Sequence, residues 1–249
     1  MGRSSRRRRE GSALGTHGHP SAASGGAGDA RGTWVSGESR PVDPLARGAD
    51  EMIWGIPRDT ALAGGAWRGF RRFRSSEDGA SEIARLEAAA QLRPRRELEM
   101  DPEWKQPIPY AIAMFRDEAG VAHLFWMDRL AGTSDRRLHG RASFGVGGHI
   151  GAGDAGIAAA LTREWSEEVA TPSLPTFMPV GLLNDDGDDV GRVHIGVVFL
   201  ALLSSPEIHV REREKLAGTL VPLAEAVRRA GELEGWSAAL ISHLEALAT

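Results

Sequence analysis

The chain has no cysteine among its 249 residues, which excludes disulfide bridges, thiolate metal sites and cysteine nucleophiles. Any metal must be held by oxygen or imidazole. Long apolar runs are also missing: the longest, Val197 to Leu203, is strand-sized and far short of the ~18 residues of a membrane span. There is no excess of positive charge either. The formal net charge of -4 argues against a general nucleic-acid binder, which needs clustered Lys and Arg to displace counterions from phosphates. Lysine is scarce beside arginine, while Ala and Gly are abundant, a bias of composition rather than of chemistry.

What is present suits a soluble globular protein, with 41% hydrophobic residues and a mean hydropathy of -0.27. The expected compartment is the cytoplasm. Residues 1–51 are dominated by Gly, Ser, Arg and Ala with almost no periodic apolar positions, so this extension is expected to be disordered. Its Arg6–Arg9 cluster has neither the apolar region of a secretory signal nor the spacing of a transit helix. Met52 is the expected start of the ordered chain, a domain over residues 52–249 whose lead-in segment occupies residues 52–100. Within the lead-in, Ile83, Leu86 and Ala90 recur at helical spacing, which predicts a helix from about Ala80 to Leu92 that Pro94 stops. Trp67, Phe70 and Phe73 are expected in the core rather than as a base-stacking platform.

The next part reads as strands at Ile108–Phe115 and Val121–Met127 around a turn at Arg116–Gly120, and a third at Ala142–Val146. A helix follows at Ile157–Val169, then strands at Phe177–Leu183 and Arg192–Leu203, and terminal helices at Leu223–Ala230 and Ser237–Leu247. Strands on both sides of one central helix predict an α+β protein, an α/β/α sandwich on a mixed sheet.

The chemistry lies between Gly147 and Glu168. Glu164, Glu167 and Glu168 are three and four residues apart and share one helix face. Ile157, Leu161 and Trp165 form the apolar stripe of that helix, and a helical wheel sets Glu168 among them. Carboxylates crowded beside a buried face repel one another unless cations neutralise them, and oxygen ligands without cysteine suit Mg²⁺ or Mn²⁺. Arg163 lies four residues before Glu167 and can orient it. The preceding glycines let backbone approach a ligand closely. Together these features propose metal-assisted hydrolysis of a phosphoanhydride. The run Gly151–Gly156 is no P-loop, since no Gly-Lys-Ser or Gly-Lys-Thr follows it. The acidic run Asn184–Asp189 lacks the glutamate and flanking helices of an EF-hand and reads as a turn between strands. Asp185 or Asp186 could add a metal or substrate contact there. His149 and His194 read as hydrogen-bonded structural residues, with proton shuttling as the alternative.

The segment Gly148 to Glu168 resembles the Nudix box: a glycine, five residues, an acid, seven residues, then Arg-Glu-apolar-x-Glu-Glu-x-Gly. Here Asp154 stands for the family's Glu, eight residues separate it from Arg163, and Ala170 replaces the last glycine. Arg163-Glu164-Trp165-Ser166-Glu167-Glu168 matches in full. Lys105–Tyr110, Ser143–His149, Asn184–Asp186 and Val193–Phe199 are similar to a bacterial branch of Nudix proteins described as predicted phosphoesterases. The resemblance covers residues 52–249 and implies a Nudix-type sandwich. It further implies Glu164, Glu167 and Glu168 as metal ligands, with Gly148 giving its carbonyl.

The expected activity is Mg²⁺- or Mn²⁺-dependent hydrolysis of a nucleoside diphosphate linked to another moiety. Glu167, Glu164 and Arg163 would carry catalysis, and Gly147, His149, Asp185 and Asp186 would contact substrate. The alternative is a Nudix-fold module that binds a nucleotide metabolite without turning it over, motivated by the altered loop. Isomerisation of an isoprenoid diphosphate would need a cysteine. The expected partner is a small nucleotide or other diphosphate, with no nucleic acid or membrane. The oligomeric state stays open, a homodimer included.

Overall fold

The structure is a computed structural model and describes residues 51–63, 65–130 and 141–248. The expectation for the N-terminal extension therefore lies outside the described residues, except at Glu51. The lead-in comprises β1 (Met52–Pro57), α1 (Arg58–Ala61), β2 (Gly69–Arg72), α2 (Ser76–Ala89), β3 (Gln91–Pro94) and α3 (Arg95–Leu98). Then come β4 (Trp104–Arg116), β5 (Ala122–Arg129), β6 (Ala142–Ser143), β7 (Gly145–Gly147) and α4 (Ile157–Glu168). The remainder is β8 (Val169–Ala170), β9 (Thr176–Asn184), α5 (Asp189–Val193), β10 (His194–Leu203), β11 (His209–Val210), β12 (Leu216–Pro222), α6 (Leu223–Arg228), α7 (Gly235–Leu240) and α8 (Leu244–Leu247).

One mixed sheet runs β12-β5-β4-β10-β9-β2, with β1, β6 and β7 attached at its margins. Only β4 and β10 pair in parallel, from His194 beside Gln106 to Leu203 beside Phe115, and the flanking pairs are antiparallel. β10 is an almost unbroken apolar run buried over most of its length, as a central strand covered on both faces should be. The period of two sorts its residues. Ala111, Ala113, Val197, Phe199 and Ala201 face a core shared with Ile157, Leu161 and Trp165 of α4 and Leu86 of α2. Ile112, Met114, Val198 and Leu200 face a second core closed by Leu223, Ala226, Leu240, Leu244 and Leu247. The result is the expected α/β/α sandwich, in which each buried Leu or Ile contributes about 1.5–3 kcal/mol.

Several elements differ from the sequence reading. The lead-in helix runs from Ser76 to Ala89 rather than from Ala80 to Leu92, because Ser75 caps it earlier and Gln91–Pro94 pairs with β1 as a strand. The third strand is split at Phe144, where the backbone N–H donates to the Ser237 hydroxyl. Arg192–Leu203 divides into α5 and β10, since the Asp188 side chain caps a short helix by accepting from Gly191 N–H at 2.7 Å. The acidic run is thus part turn and part helix cap. The last helix is broken into α7, a 3-10 turn at Ile241–His243, and α8. Trp67, Phe70 and Phe73 do pack on the two cores. No described helix is long and apolar enough to cross a membrane.

Lys105, with no exposed surface, is buried beneath the site end of the sheet. Its Nζ donates to Asp186 at 2.7 Å and to the carbonyls of Gly191 and His194 at 2.9 and 3.1 Å. Burial pushes its pKa down, and Asp186 opposes that push. Asp186 also accepts from Arg58 at 2.6 Å, so this network fastens the β9–β10 connection to β4 and α1.

Candidate active site

Helix α4 starts at Gly156, whose φ of 145° lies where a side chain is strained. Glu87 of α2 supplies the missing cap, its carboxylate accepting from Ile157 N–H at 2.9 Å. Apolar periodicity then turns Trp165 into the core, where it meets Phe177 edge-on at 5.5 Å. That rotation leaves Arg163, Glu164, Glu167 and Glu168 along the rim. The helix ends by running directly into strand β8, which pairs with β11. An extended exit needs no left-handed residue, which explains Ala170 where the family pattern has glycine.

Arg163 is the hub of the rim. Its guanidinium meets Asp154 through two bonds, Nε to Oδ1 at 3.0 Å and Nη2 to Oδ2 at 2.9 Å. It also donates to Glu164 at 2.8 Å, Glu167 at 3.2 Å and the His149 carbonyl at 2.9 Å. Bidentate charge-assisted bonds of this kind fix geometry as well as energy. Asp154 reaches Arg163 despite its shorter side chain and the extra loop residue, because a tight turn absorbs both. Gly151 N–H donates to Asp154 Oδ2 at 2.8 Å, and Asp154 N–H donates back to the Gly151 carbonyl at 3.1 Å. Arg163 holds the Asp154 carboxyl below its ordinary value.

Glu164 presses against the glycine loop. A β-carbon on Gly148 would lie 2.4 Å from Glu164 Oε1, so any larger residue there would displace that carboxylate. Burial raises the Glu164 pKa, with Arg163 opposing. Crowding by surrounding protein, then the charges of Glu164 and Glu212, push Glu168 up to about 7. Glu168 is nonetheless exposed as a residue rather than lodged in the apolar stripe, so solvent screening tempers that push. Glu167 shows 60% of its side-chain surface to solvent, against 14% for Glu164.

Gly147 and Gly148 form one wall of a cleft of about 560 Å³. Tyr110 and Trp236 stand on another side in edge-on contact at 5.5 Å, and His149, His194, Asp185, Arg95 and Glu99 complete the lining. The cleft therefore joins the glycine loop to a partly aromatic wall, the form expected of a small-molecule site. Of the residues singled out from sequence, Gly147, Gly148, His149 and Asp185 come together in its lining. Asp186 does not: its oxygens are engaged by Lys105 and Arg58. Asp185 is paired with the exposed Arg68 at 2.7 Å. Trp236, Arg95 and Glu99 went unnoticed in the sequence, since no motif spacing connects them to the box, and Tyr110 was read only as the end of the Lys105–Tyr110 segment. Among the described residues, the one trio of His, Asp or Glu whose ligand atoms all lie within 4.8 Å is Glu99, His149 and His194. The three box glutamates do not converge as closely, with Arg163 occupying an oxygen of both Glu164 and Glu167.

No family model matches the chain. Protein YmaB of Bacillus subtilis (strain 168) is 36% identical over 208 residues, spanning 79% of this chain and 98% of that protein. The crystal structure of Tm1382, a candidate Nudix hydrolase, superposes with a TM-score of 0.65 at 30% identity, covering 79% of this chain and all of the other. The sandwich, the Arg163–Glu168 helix against its glycine loop, and these two matches make one statement: the chain belongs to the Nudix hydrolases.

Proposed function

We propose that this enzyme hydrolyses a phosphoanhydride in a nucleoside diphosphate linked to another moiety, with Mg²⁺ or Mn²⁺, in the cleft beside Gly147 and Gly148. The observation that carries this reading is the packing of Glu164 of the box against the cleft-lining Gly148, where a β-carbon would run into its carboxylate. That packing sets the acidic face of α4 behind the glycine wall of a pocket able to take a nucleotide, the box glutamates themselves lying outside its lining. Nudix hydrolases generally use divalent metals, and the donor set fits a hard cation. The glutamates are oxygen ligands whose pKa values rise at Glu164 and Glu168, so bringing up a cation relieves both burial and mutual repulsion. Glu164, Glu167 and Glu168 would hold it, with the Gly148 carbonyl. When bound, the metal polarises a phosphoryl oxygen and activates water.

The rest of the work falls to the chain's own side chains. Arg163 positions Glu164, Glu167 and the His149 carbonyl through one planar group, so the rim keeps its spacing before substrate arrives. Glu168, at the C-terminal end of the same helix, adds a carboxylate beside Glu164 and Glu167. Trp236 and Tyr110 offer aromatic faces and edges to a base or other ring, and Gly147, His149 and Asp185 are the nearer polar contacts. Asp186 acts through Lys105, holding the β9–β10 connection. A module that only binds was motivated by a displaced loop, and the meeting of Asp154 with Arg163 supports the hydrolytic reading instead.

The test is a screen of nucleotide sugars, dinucleoside polyphosphates, nucleoside triphosphates and coenzymes with Mg²⁺ and Mn²⁺, reading phosphate release after phosphatase coupling. Wild-type protein should turn over at least one class. Glu167→Gln should abolish that turnover while leaving the thermal melting curve in place, because Glu167 is exposed and adds only one long ion pair. Full activity in this variant would sink the assignment.

A further inference from the structure

Behind the glycine wall the cleft holds a second group of ligands that the box chemistry does not use. His149 and His194 face one another through their Nε2 atoms at 3.2 Å. His194 Nδ1 lies 2.6 Å from the Val190 carbonyl, which places its proton on Nδ1 and leaves Nε2 as a bare lone pair. Such a carbonyl partner is what orients a metal-binding imidazole. Glu99 brings a carboxylate oxygen within 4.8 Å of both ring nitrogens. From these positions we propose that Glu99, His149 and His194 form a site for a Zn²⁺-class transition ion, separate from the glutamates of α4.

The spacing agrees with that chemistry. Two imidazole nitrogens bound at about 2.0–2.1 Å with a tetrahedral angle are separated by about 3.3 Å, close to the distance between the two Nε2 atoms. Two imidazoles and one carboxylate suit zinc or its neighbours and not Mg²⁺, which prefers six oxygens. Each ligand comes from a different fixed element. His194 opens the central strand β10 and is buried. The His149 carbonyl is gripped by Arg163. Glu99 follows α3, which is anchored by the fully buried Leu98. Glu99 is half-buried, and a change of rotamer in its flexible side chain would bring its carboxylate onto the ion. Arg95, which pairs with Glu99 at 3.2 Å, keeps Glu51 as its second partner at 3.3 Å. Three protein ligands leave the fourth position open, and all three line the cleft, so that position would take water or an oxygen of whatever occupies it.

The competing arrangement is a histidine pair sharing one proton, and metal binding separates the two. Dialysed full-length protein is titrated with Co²⁺ in a large excess of Mg²⁺, following visible absorption, and Zn²⁺ is then added in competition. One equivalent of Co²⁺ should give the intense band of a four-coordinate site, and Zn²⁺ should remove it. The double variant Glu164→Gln/Glu168→Gln should keep the band. His149→Gln and His194→Gln should abolish it, and Glu99→Gln should weaken Co²⁺ binding about tenfold or more. If His194→Gln fails to fold, as judged by melting, the half-buried His149 and Glu99 variants carry the test. No band in wild type means a hydrogen-bonded histidine pair only, and overturns the site. A band lost in the α4 double variant but retained in His149→Gln overturns it equally. Neither readout depends on turnover, so the hydrolytic assignment stands or falls separately.

Discussion

Arg163 concentrates five hydrogen bonds on one planar group, and its partner Asp154 gives the contact a pH signature. The folded-state pKa of Asp154 lies below its ordinary 3.8, chiefly because Arg163 bonds the charged form. A group depressed on folding stabilises the protein above its unfolded pKa and loses that contribution as pH falls through the folded value. Asp154→Asn should therefore cost about 1–3 kcal/mol at neutral pH, and the gap from wild type should narrow below about pH 4. Denaturant unfolding at neutral and acidic pH reads this directly, and an unchanged gap would remove Asp154 as the proton-linked anchor. At this scale the helix half of the box was legible, because carboxylates three and four residues apart must share a face. Asp154 was legible as a departure from the motif, but its bidentate contact was not, because the turn at Gly151 that delivers it leaves no periodic trace. Asp186 misled for the opposite reason: an acid near the site end of the sheet reads as available, and only the fold shows Lys105 and Arg58 upon it.

Among the elements, α4 declared itself by a 3.6-residue apolar stripe long enough to be unambiguous. The last helix did not, since the 3-10 turn at Ile241–His243 interrupts a pattern that looks continuous as a string. Strand β3 was hidden because four residues ending in proline carry little period of their own, and pairing with β1 alone makes them a strand. The start of α4 shows the same dependence on distant partners: its cap comes from Glu87, seventy residues earlier. Replacing Glu87 with alanine leaves Ile157 N–H without that acceptor. The expected loss is about 0.5–2 kcal/mol, with Glu87→Gln intermediate because an amide oxygen still accepts. Thermal melting of the two variants decides this, and equal melting points for Glu87→Ala and wild type would mean that solvent caps the helix as well.

For the molecule as a whole, the mixed sheet and its two covering layers followed from the order of strands and helices, as did the position of the box between sheet and helix. The cleft did not. Its Trp236 comes from the C-terminal layer, its Glu99 from the lead-in and its Tyr110 from a central strand, and no spacing in a linear sequence predicts that three such elements meet. The box could be read because its acids lie on one helix, whereas the opposite wall is tertiary throughout.

Lys105 also makes the chain a selective target for amine chemistry. The protein has two lysines; Lys105 is sealed within its carbonyl and carboxylate cage, and Lys215 shows 53% of its side chain to solvent. An acylating reagent applied to native protein should therefore mark Lys215 among the lysines and spare Lys105, as peptide mapping by mass spectrometry would show. The onset of Lys105 acylation in rising denaturant then becomes a clock for the opening of the β9–β10 connection, and comparing it with global unfolding reveals whether the floor of the site loosens first. Rapid native acylation of Lys105 would mean that the cage opens on its own.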